Sequence, residues 1–372
     1  MQIKKLFVAG LRNLKSIAIE PGNNFNLIYG LNGQGKTNLL EAIFLLGSPR
    51  SFRNCKQHEL IRHDEKKAVV KGEVESNRVI SNIMLTLEQA GRRVEINGKG
   101  IARASELHGK LNSVVFSPDD TGMVRNGPDS RRRYLDRAVY MVDIQYLHCW
   151  HDYHRILKQR NNLLKKIDTT GLDIWTDQLA TVGAEVIERR HCFVSILNER
   201  LKRHYTFISG GSETAEITYR PEGIKATNNR SAIRIELLDL LNRNAKNDER
   251  YGTTTSGPHR DDLVFALNGK LLKSFGSQGQ QKSFVLALKM AEIEYLEEIF
   301  TESPILLLDD MSSELDSKRS RNLLNCLSTK NIQVFITTTE RSPALLDSAA
   351  QNYSVFHVQD GNLTFEENKK HE

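Results

Sequence analysis

The eight residues Gly30-Leu31-Asn32-Gly33-Gln34-Gly35-Lys36-Thr37 constrain this chain more than any other segment. They match G-x-x-x-x-G-K-[ST], directly after a short apolar, β-prone run, Phe25 to Tyr29, and directly before a helical pattern from Lys36 to Leu46. Glycines in such a strand-to-helix turn let the backbone curl until successive amides point inward, and the next helix presents its positive end. Gly30, Leu31, Asn32, Gly33, Gln34, Gly35, Lys36 and Thr37 are therefore expected to cradle the phosphates of ATP. Lys36 is expected to reach the terminal phosphates and take part in their transfer, and the Thr37 hydroxyl to ligate Mg2+.

Such a loop serves kinases, GTPases, transporters, helicases and chromosome-organising proteins alike, so other motifs must narrow the choice. Ile305-Leu306-Leu307-Leu308 reads as a buried strand ending in Asp309-Asp310, the place where a Walker B carboxylate holds magnesium. Asp309 is the metal candidate. Upstream, Ser277-Gln278-Gly279-Gln280-Gln281 precedes a helical run from Lys282 to Glu298, so a glycine-containing turn presents a helix N-terminus able to receive an anion. Downstream stands Ser313-Glu314-Leu315-Asp316.

The 372 residues suffice for two lobes, and a hydrophobic share of 39% with 26% charged residues is that of a folded globular chain rather than a disordered one. Short strands are expected at Ile3 to Leu11, Ala68 to Val74, Ile80 to Leu87 and Val94 to Ile96, the last entering a turn at Asn97-Gly98. From Arg131 to about Ile167, and again from Leu172 to about Phe207, apolar residues recur at helical spacing, which predicts two long antiparallel helices. Residues 131–205 hold fourteen Lys/Arg against nine Asp/Glu, five of the chain's six excess positive charges. Strand and turn character returns after Gly211. The expected fold is α/β, with residues 1–127 and 211–372 forming a discontinuous head and 128–210 an inserted basic helical lobe.

Four scattered cysteines, Cys55, Cys149, Cys192 and Cys326, form no C-x-x-C pair, which points to a reducing cytoplasm, and no stretch of about 18 apolar residues suggests a membrane span. The lobe's basic residues, Arg131, Arg132, Arg133, Lys158, Arg160, Lys165, Lys166, Arg189, Arg190, Lys202 and Arg203, are candidates for phosphate contacts, which give affinity without reading sequence. His148, His151 and His154, with Cys149 adjacent, cannot close a tetrahedral metal site from one helix at that spacing, so a structural or exposed role is expected.

Ser-x-Gly-x-Gln at 277 to 281, ahead of a Walker B strand followed by Ser-Glu-Leu-Asp, resembles the signature motif and D-loop of ABC-type ATPases. Further segments join it: Phe7-Val8-Ala9-Gly10-Leu11-Arg12-Asn13-Leu14, Ser48-Pro49-Arg50-Ser51-Phe52-Arg53, Phe116-Ser117-Pro118-Asp119-Asp120, Arg131-Arg132-Arg133 and Ser256-Gly257-Pro258-His259-Arg260-Asp261-Asp262. Together they resemble the RecF family of bacterial recombination mediators, from about residue 1 to about residue 360. The resemblance implies an ABC/SMC-type ATPase head that dimerises around ATP, with Gly30 to Thr37 and Asp309 holding nucleotide and magnesium in one subunit. Ser277 and the amides near Gly279 and Gln280 would contact the γ-phosphate bound in the other. It also implies Arg12 and Asn13 near the nucleotide, a loop beside the nucleotide or subunit interface at 256–262, and DNA, gapped or at single-strand/double-strand junctions, as partner. Recombination mediator proteins and recombinase loading in DNA repair and replication belong to the same implication.

Two positions depart from the ABC pattern. Asp310 stands where Glu usually polarises the attacking water, one methylene shorter, so hydrolysis by Asp310 is expected to be slow; misplacement by about 1 Å costs on the order of a hundredfold. Thr337-Thr338-Thr339-Glu340 stands where a switch histidine is usual, and no Q-loop glutamine is assigned. A transporter ATPase subunit is the alternative. Helices of about 35 residues reach only ~50 Å at 1.5 Å per residue, too short for a long-armed chromosome organiser, and a nuclease would need carboxylates beyond Asp309.

Overall fold

Alternating burial builds the first strands. The computed structural model describes all residues except 49, 54, 167–169, 212, 226–227, 311–326, 328–329, 341–352 and 367–372. In β1 (Gln2–Leu11) Ile3, Leu6 and Val8 are buried while Lys5 and Phe7 face solvent, the period-2 pattern of a sheet with one wet face. β2 (Leu14–Ile19), β4 (Lys67–Ser76), β5 (Val79–Glu88), β6 (Gly91–Ile96) and β7 (Lys99–Gly100) join it in an antiparallel sheet of order β2-β1-β4-β5-β6-β7. Asn97 and Gly98 turn the last hairpin at φ 51° and 77°, the left-handed conformation that Asn-Gly adopts readily.

β3 (Phe25–Tyr29) and β8 (Ser113–Phe116) belong to a second sheet, and between them comes α1 (Lys36–Gly47). Leu39, Leu40, Ile43, Phe44 and Leu46 are buried around α1, which packs on β1, β4 and β5 on one side and on the second sheet on the other. A helix apolar all round belongs inside a protein.

After α2 (Pro118–Arg125) the chain becomes helical: α3 (Pro128–Val142), α4 (Ile144–Lys166) and α5 (Leu172–Ser209). The first of the two expected long helices is thus broken at Asp143. Its Oδ1 accepts the Gln145 and Tyr146 amides at 2.9 and 3.3 Å, capping α4. A three-stranded sheet comes next, β9 (Ala215–Arg220), β10 (Asp262–Leu267) and β11 (Lys270–Leu271), with α6 (Arg230–Arg243), α7 (Ala245–Tyr251) and the short α8 (Leu272–Phe275). Helix α9 (Gln278–Phe300) leads to β12 (Ile305–Leu308), β13 (Val334–Thr338), β14 (Tyr353–Gln359) and β15 (Asn362–Glu366). These complete the second sheet in the order β15-β14-β3-β13-β12-β8, parallel from β14 to β8. Buried Gln333 ties the two sheets together: its amide exchanges hydrogen bonds with the Ile3 backbone at 2.7 and 3.1 Å and donates to Gly22 O at 2.8 Å.

Contacts divide the chain into two compact units, Met1–Thr121 with Glu292–Glu372, and Gly122–Ala291. They group more residues with the helices than the 128–210 boundaries do, because β9 packs on α5 and pairs with β10. No helix among the described residues is long and apolar enough to cross a membrane.

Candidate nucleotide site

Parallel pairing brings four strand ends to one edge: Leu27 registers with Ile336, Ile336 with Leu308, and Leu308 with Phe116. The 30–37 loop after β3, Asp309-Asp310 after β12, and Ser117-Pro118-Asp119 after β8 leave that edge together and line a cavity of about 340 Å³. This is the crevice at the carboxyl ends of a parallel sheet where ligands bind in open α/β folds.

The glycines of the loop are required by geometry. Gly30 and Gly35 take φ of 155° and 117°, and a Cβ would stand 2.3 Å from Val358 O at the first and 2.7 Å from Asn13 Oδ1 at the second. Inside the loop Lys36 donates to Gly30 O at 2.6 Å and Leu31 O at 3.0 Å. Burial pulls its pKa below the ordinary value, against the pull of Asp310 and Asp309. A cation already stripped of water is thus held where phosphates would arrive.

Thr37 Oγ1 donates to Asp309 Oδ1 at 2.9 Å, and Thr337 Oγ1 donates to the same oxygen at 2.8 Å. Burial raises the Asp309 pKa, while the bonds from Thr337 and Thr37 and the charge of Arg53 oppose that rise. Thr37 and Asp309 offer two hard oxygens side by side. That fits Mg2+, which binds proteins through one or two oxygen ligands and completes its shell with waters and phosphates. Asp310 sits at φ 51°, a left-handed conformation that Asp tolerates, with its amide held by Thr337 Oγ1 at 2.8 Å. Thr337 therefore fixes both carboxylate residues through one hydroxyl.

Outside the cavity the loop is clasped on two sides. Asn13 donates to Gly33 O at 3.2 Å and accepts from Asn38 Nδ2 at 2.8 Å. At the β14–β15 turn, Asp360 N–H donates to Gln34 Oε1 at 2.5 Å and Gly361 N–H to Gln34 O at 3.1 Å. Arg12 does not line the cavity: its guanidinium is held by buried Glu41 at 3.0 and 3.3 Å. Arg53 does line it, bonded to Asn38 Oδ1 at 2.9 Å and 3.8 Å from Glu41.

Ser277, Gly279 and Gln280 lie in the second unit and are not among the residues lining this cavity. The helix begins earlier than expected, at Gln278, because Ser277 caps it reciprocally: Ser277 Oγ accepts the Gln280 amide at 3.2 Å and Gln280 Oε1 the Ser277 amide at 2.7 Å. Ser313 to Asp316 lie outside the described residues.

Three of the eleven phosphate-contact candidates are interior. Arg131 pairs with Asp262 at 2.7 Å, Arg160 with Asp248 at 2.8 Å and Arg190 with Asp136 at 2.7 Å, all three buried. Arg189 is engaged by Asp143 and Glu185. Arg133, Lys158, Lys165, Lys166 and Arg203 are exposed. Within the second unit Ser256, Gly257, Pro258 and Asp261 of the 256–262 segment are buried and Arg260 is exposed. Arg190 donates to Pro258 O at 2.7 Å, Tyr219 OH bonds Asp261, and His259 Nδ1 meets Tyr153 OH at 2.7 Å. His154 packs edge-on against Trp150, 4.0 Å between centroids.

Thr337, Arg53 and Gln34's clasp are the parts of this site that composition and spacing leave unmarked. The signal for Thr337 was its place one strand beyond Asp309.

A family model described as the RecF/RecN/SMC N terminal domain matches residues 2–364. The DNA replication and repair protein RecF of Trichlorobacter lovleyi is 47% identical over 99% of this chain and 99% of its own length. That of Geotalea uraniireducens is 46% identical over 98% and 100%. Among solved structures, the recombination mediator protein RecF-ATP in the RecFOR pathway superposes with a TM-score of 0.91 at 36% identity, covering 98% of this chain and 97% of that one. An SMC head bound to the C-terminal winged-helix domain of ScpA shares the fold at 17% identity and a TM-score of 0.57, over 100% and 99% of the two chains.

Proposed function

The chain belongs to the RecF/RecN/SMC N-terminal domain family, among its RecF members, and on that premise we propose that it is a recombination mediator of DNA repair and replication that binds ATP and DNA. It is an ATPase of that family. The relatives favour this over a transporter subunit. The observation that carries the site is the 2.9 Å bond from Thr37 to Asp309, which joins the phosphate loop to the acidic end of β12 at one cavity.

In this mechanism Gly30 to Thr37 bind the phosphates through backbone amides, Lys36 pairs with the terminal phosphates, and Thr37 and Asp309 hold the metal. Bound Mg2+ would neutralise charge on the phosphates. Asp310 accepts the proton of the attacking water, and its short side chain makes turnover slow. Ser277 and the amides of Gly279 and Gln280 stand at a helix N-terminus, where the γ-phosphate held by a second copy would take the Gln280 amide over from Ser277 Oγ, so that ATP joins two subunits. The chain works in the cytoplasm at gapped or junction DNA with other recombination mediators, helping to load recombinase. Size-exclusion chromatography without nucleotide, with ADP and with ATP, each with and without DNA, tests the whole scheme: only ATP should shift the protein to a dimer.

Two variants separate the parts. Ser277→Arg places a bulky cation where the partner's γ-phosphate must approach, so ATP binding to the monomer should be unchanged while the ATP-dependent dimer disappears; a dimer that survives removes Ser277 from the interface. Asp310→Asn keeps the shape and the tolerance for its backbone conformation but loses the proton acceptor. Single-turnover hydrolysis should drop by about a hundredfold, within the range for a general base, with ATP affinity retained, and hydrolysis at the parent rate places the base elsewhere.

A further inference from the structure

The end of α4 carries a cationic and aromatic surface that the nucleotide site does not use. Buried Arg160 creates it: its Nη1 donates to Asp248 Oδ2 at 2.8 Å and to Thr254 Oγ1 at 2.7 Å, and its Nε to Thr176 Oγ1 at 3.0 Å. Asn161 Oδ1 accepts the Thr254 amide at 2.8 Å. The last turns of α4 are thereby fixed against α7 and its C-terminal cap, where Gly252 takes φ 63° and lies against Lys165, whose Cγ a Cβ there would meet at 3.5 Å.

Because Asp248 is drawn inward, the rest of α7 turns its charges out. Lys246 and Arg250 are exposed on α7, which packs on α4, and Lys165 and Lys166 are exposed at the end of α4, with the exposed acids Glu249 on α7 and Asp173 in the first turn of α5 as the opposing charges. Tyr251 is 64% exposed, with the Arg250 guanidinium 5.7 Å from its ring. Lysines at a helix C-terminus have an ordinary role in opposing the helix dipole. That role gives no reason for a solvated tyrosine ring among them.

Cations that track a phosphate backbone beside an aromatic ring that stacks a base are the chemistry of single-stranded nucleic acid binding. We propose that Lys165, Lys166, Lys246, Arg250 and Tyr251 bind a single DNA strand, the cations on its phosphates and Tyr251 against one unpaired base. This rests on the DNA-binding function above and adds to it the strand type and the place.

Anisotropy of a fluorescent oligothymidine strand and of a duplex of equal length, measured with the full chain over a series of salt concentrations, tests it. Tyr251→Ala should weaken single-strand binding about tenfold, as loss of one base–aromatic stack does, and leave duplex binding unchanged, while Tyr251→Phe, which keeps the ring, should bind like the parent. Lys165→Glu combined with Lys166→Glu should flatten the slope of log K against log salt by about 1.4, the value for two single-strand phosphates at roughly 0.7 each. Circular dichroism melting of each variant checks that the Arg160–Asp248 pair still holds. If the parent binds DNA and every variant binds the single strand equally well, the patch is not the site and the DNA-binding function stands. If the parent binds neither DNA, that function fails first and this proposal with it. Displacement of the strand by polyglutamate or by anionic vesicles as readily from Tyr251→Ala as from the parent also overturns it, because a general anion surface does not use the ring.

Discussion

Lys36→Ala should bind ATP at least about a hundredfold more weakly than the parent and lose ATP-dependent dimerisation with it. Hydrogen bonds to charged groups are worth about 1.5–3 kcal/mol each, so two lost phosphate contacts amount to about 3–6 kcal/mol, and tenfold in affinity is about 1.4 kcal/mol. The fold itself should survive. Lys36 is an internal cation that costs desolvation, which is why its pKa lies below the ordinary value, and what it supplies to the free protein is two bonds to Gly30 O and Leu31 O. Lys36→Met keeps the apolar stem without the charge and separates the two effects. Titration calorimetry with ATP should show both variants weakened alike while their melting temperatures stay near the parent's. A Lys36→Met protein that binds ATP like the parent would move the phosphate-binding charge elsewhere in the cavity, with Arg53 the next cation on its lining.

Arg190→Ala should destabilise the second unit by about 3–5 kcal/mol, the range for breaking a buried ion pair from one side. Arg190 is fully buried and makes bonds to Tyr146 OH at 2.9 Å, Pro258 O at 2.7 Å and Asp136 Oδ1 at 2.7 Å, with Asp261 at 3.6 Å and the Trp150 ring beneath it at 4.9 Å. Its loss strands Asp261, which burial already raises from 3.8 to about 6 against the pull of Arg190. An acid with a raised folded-state pKa stabilises fully below its unfolded value, and that contribution is lost as pH rises through the folded one. For Asp261 the window runs from about 3.8 to about 6 in the parent, and removing Arg190 extends it upward. Denaturant melts should therefore show a larger penalty for Arg190→Ala at pH 8 than at pH 5.5. A penalty that does not change with pH would mean that Asp261 is not what the arginine neutralises.

The phosphate loop and the acidic end of β12 are legible in the chain because their chemistry is local. Glycine, lysine and threonine at fixed spacing between a strand and a helix leave few other uses, and an apolar run ending in two aspartates names its own sheet position. The Asn97-Gly98 hairpin is legible for the same reason. Asp143 was not, since apolar spacing runs straight through it, and only the Gln145 and Tyr146 amides folded back on its carboxylate reveal the break. Arg131, Arg160 and Arg190 read in the sequence as candidates for phosphate contacts because their partners, Asp262, Asp248 and Asp136, are separated from them by 131, 88 and 54 residues. Thr337, in a run of three threonines, becomes distinct only when β13 is laid beside β12 and its hydroxyl meets both Asp309 and the Asp310 amide.

The strand that launches the phosphate loop has both of its sheet neighbours at the far end of the chain: Phe25 registers with Val334 on one side and with Tyr353 on the other. A ribosome finishes residues 122–291, the whole of the second unit, before either neighbour exists, and units complete themselves as their residues emerge. Until β13 and β14 are made, Gly30 has no Val358 carbonyl to lie against and Gln34 no turn to clasp it. Order of synthesis and order of assembly are therefore inverted here: the loop is among the first segments translated and among the last to take shape, so a chain arrested before residue 334 carries every residue of the phosphate cradle and the Asn13 clasp on Gly33, but neither sheet neighbour nor the clasp on Gln34.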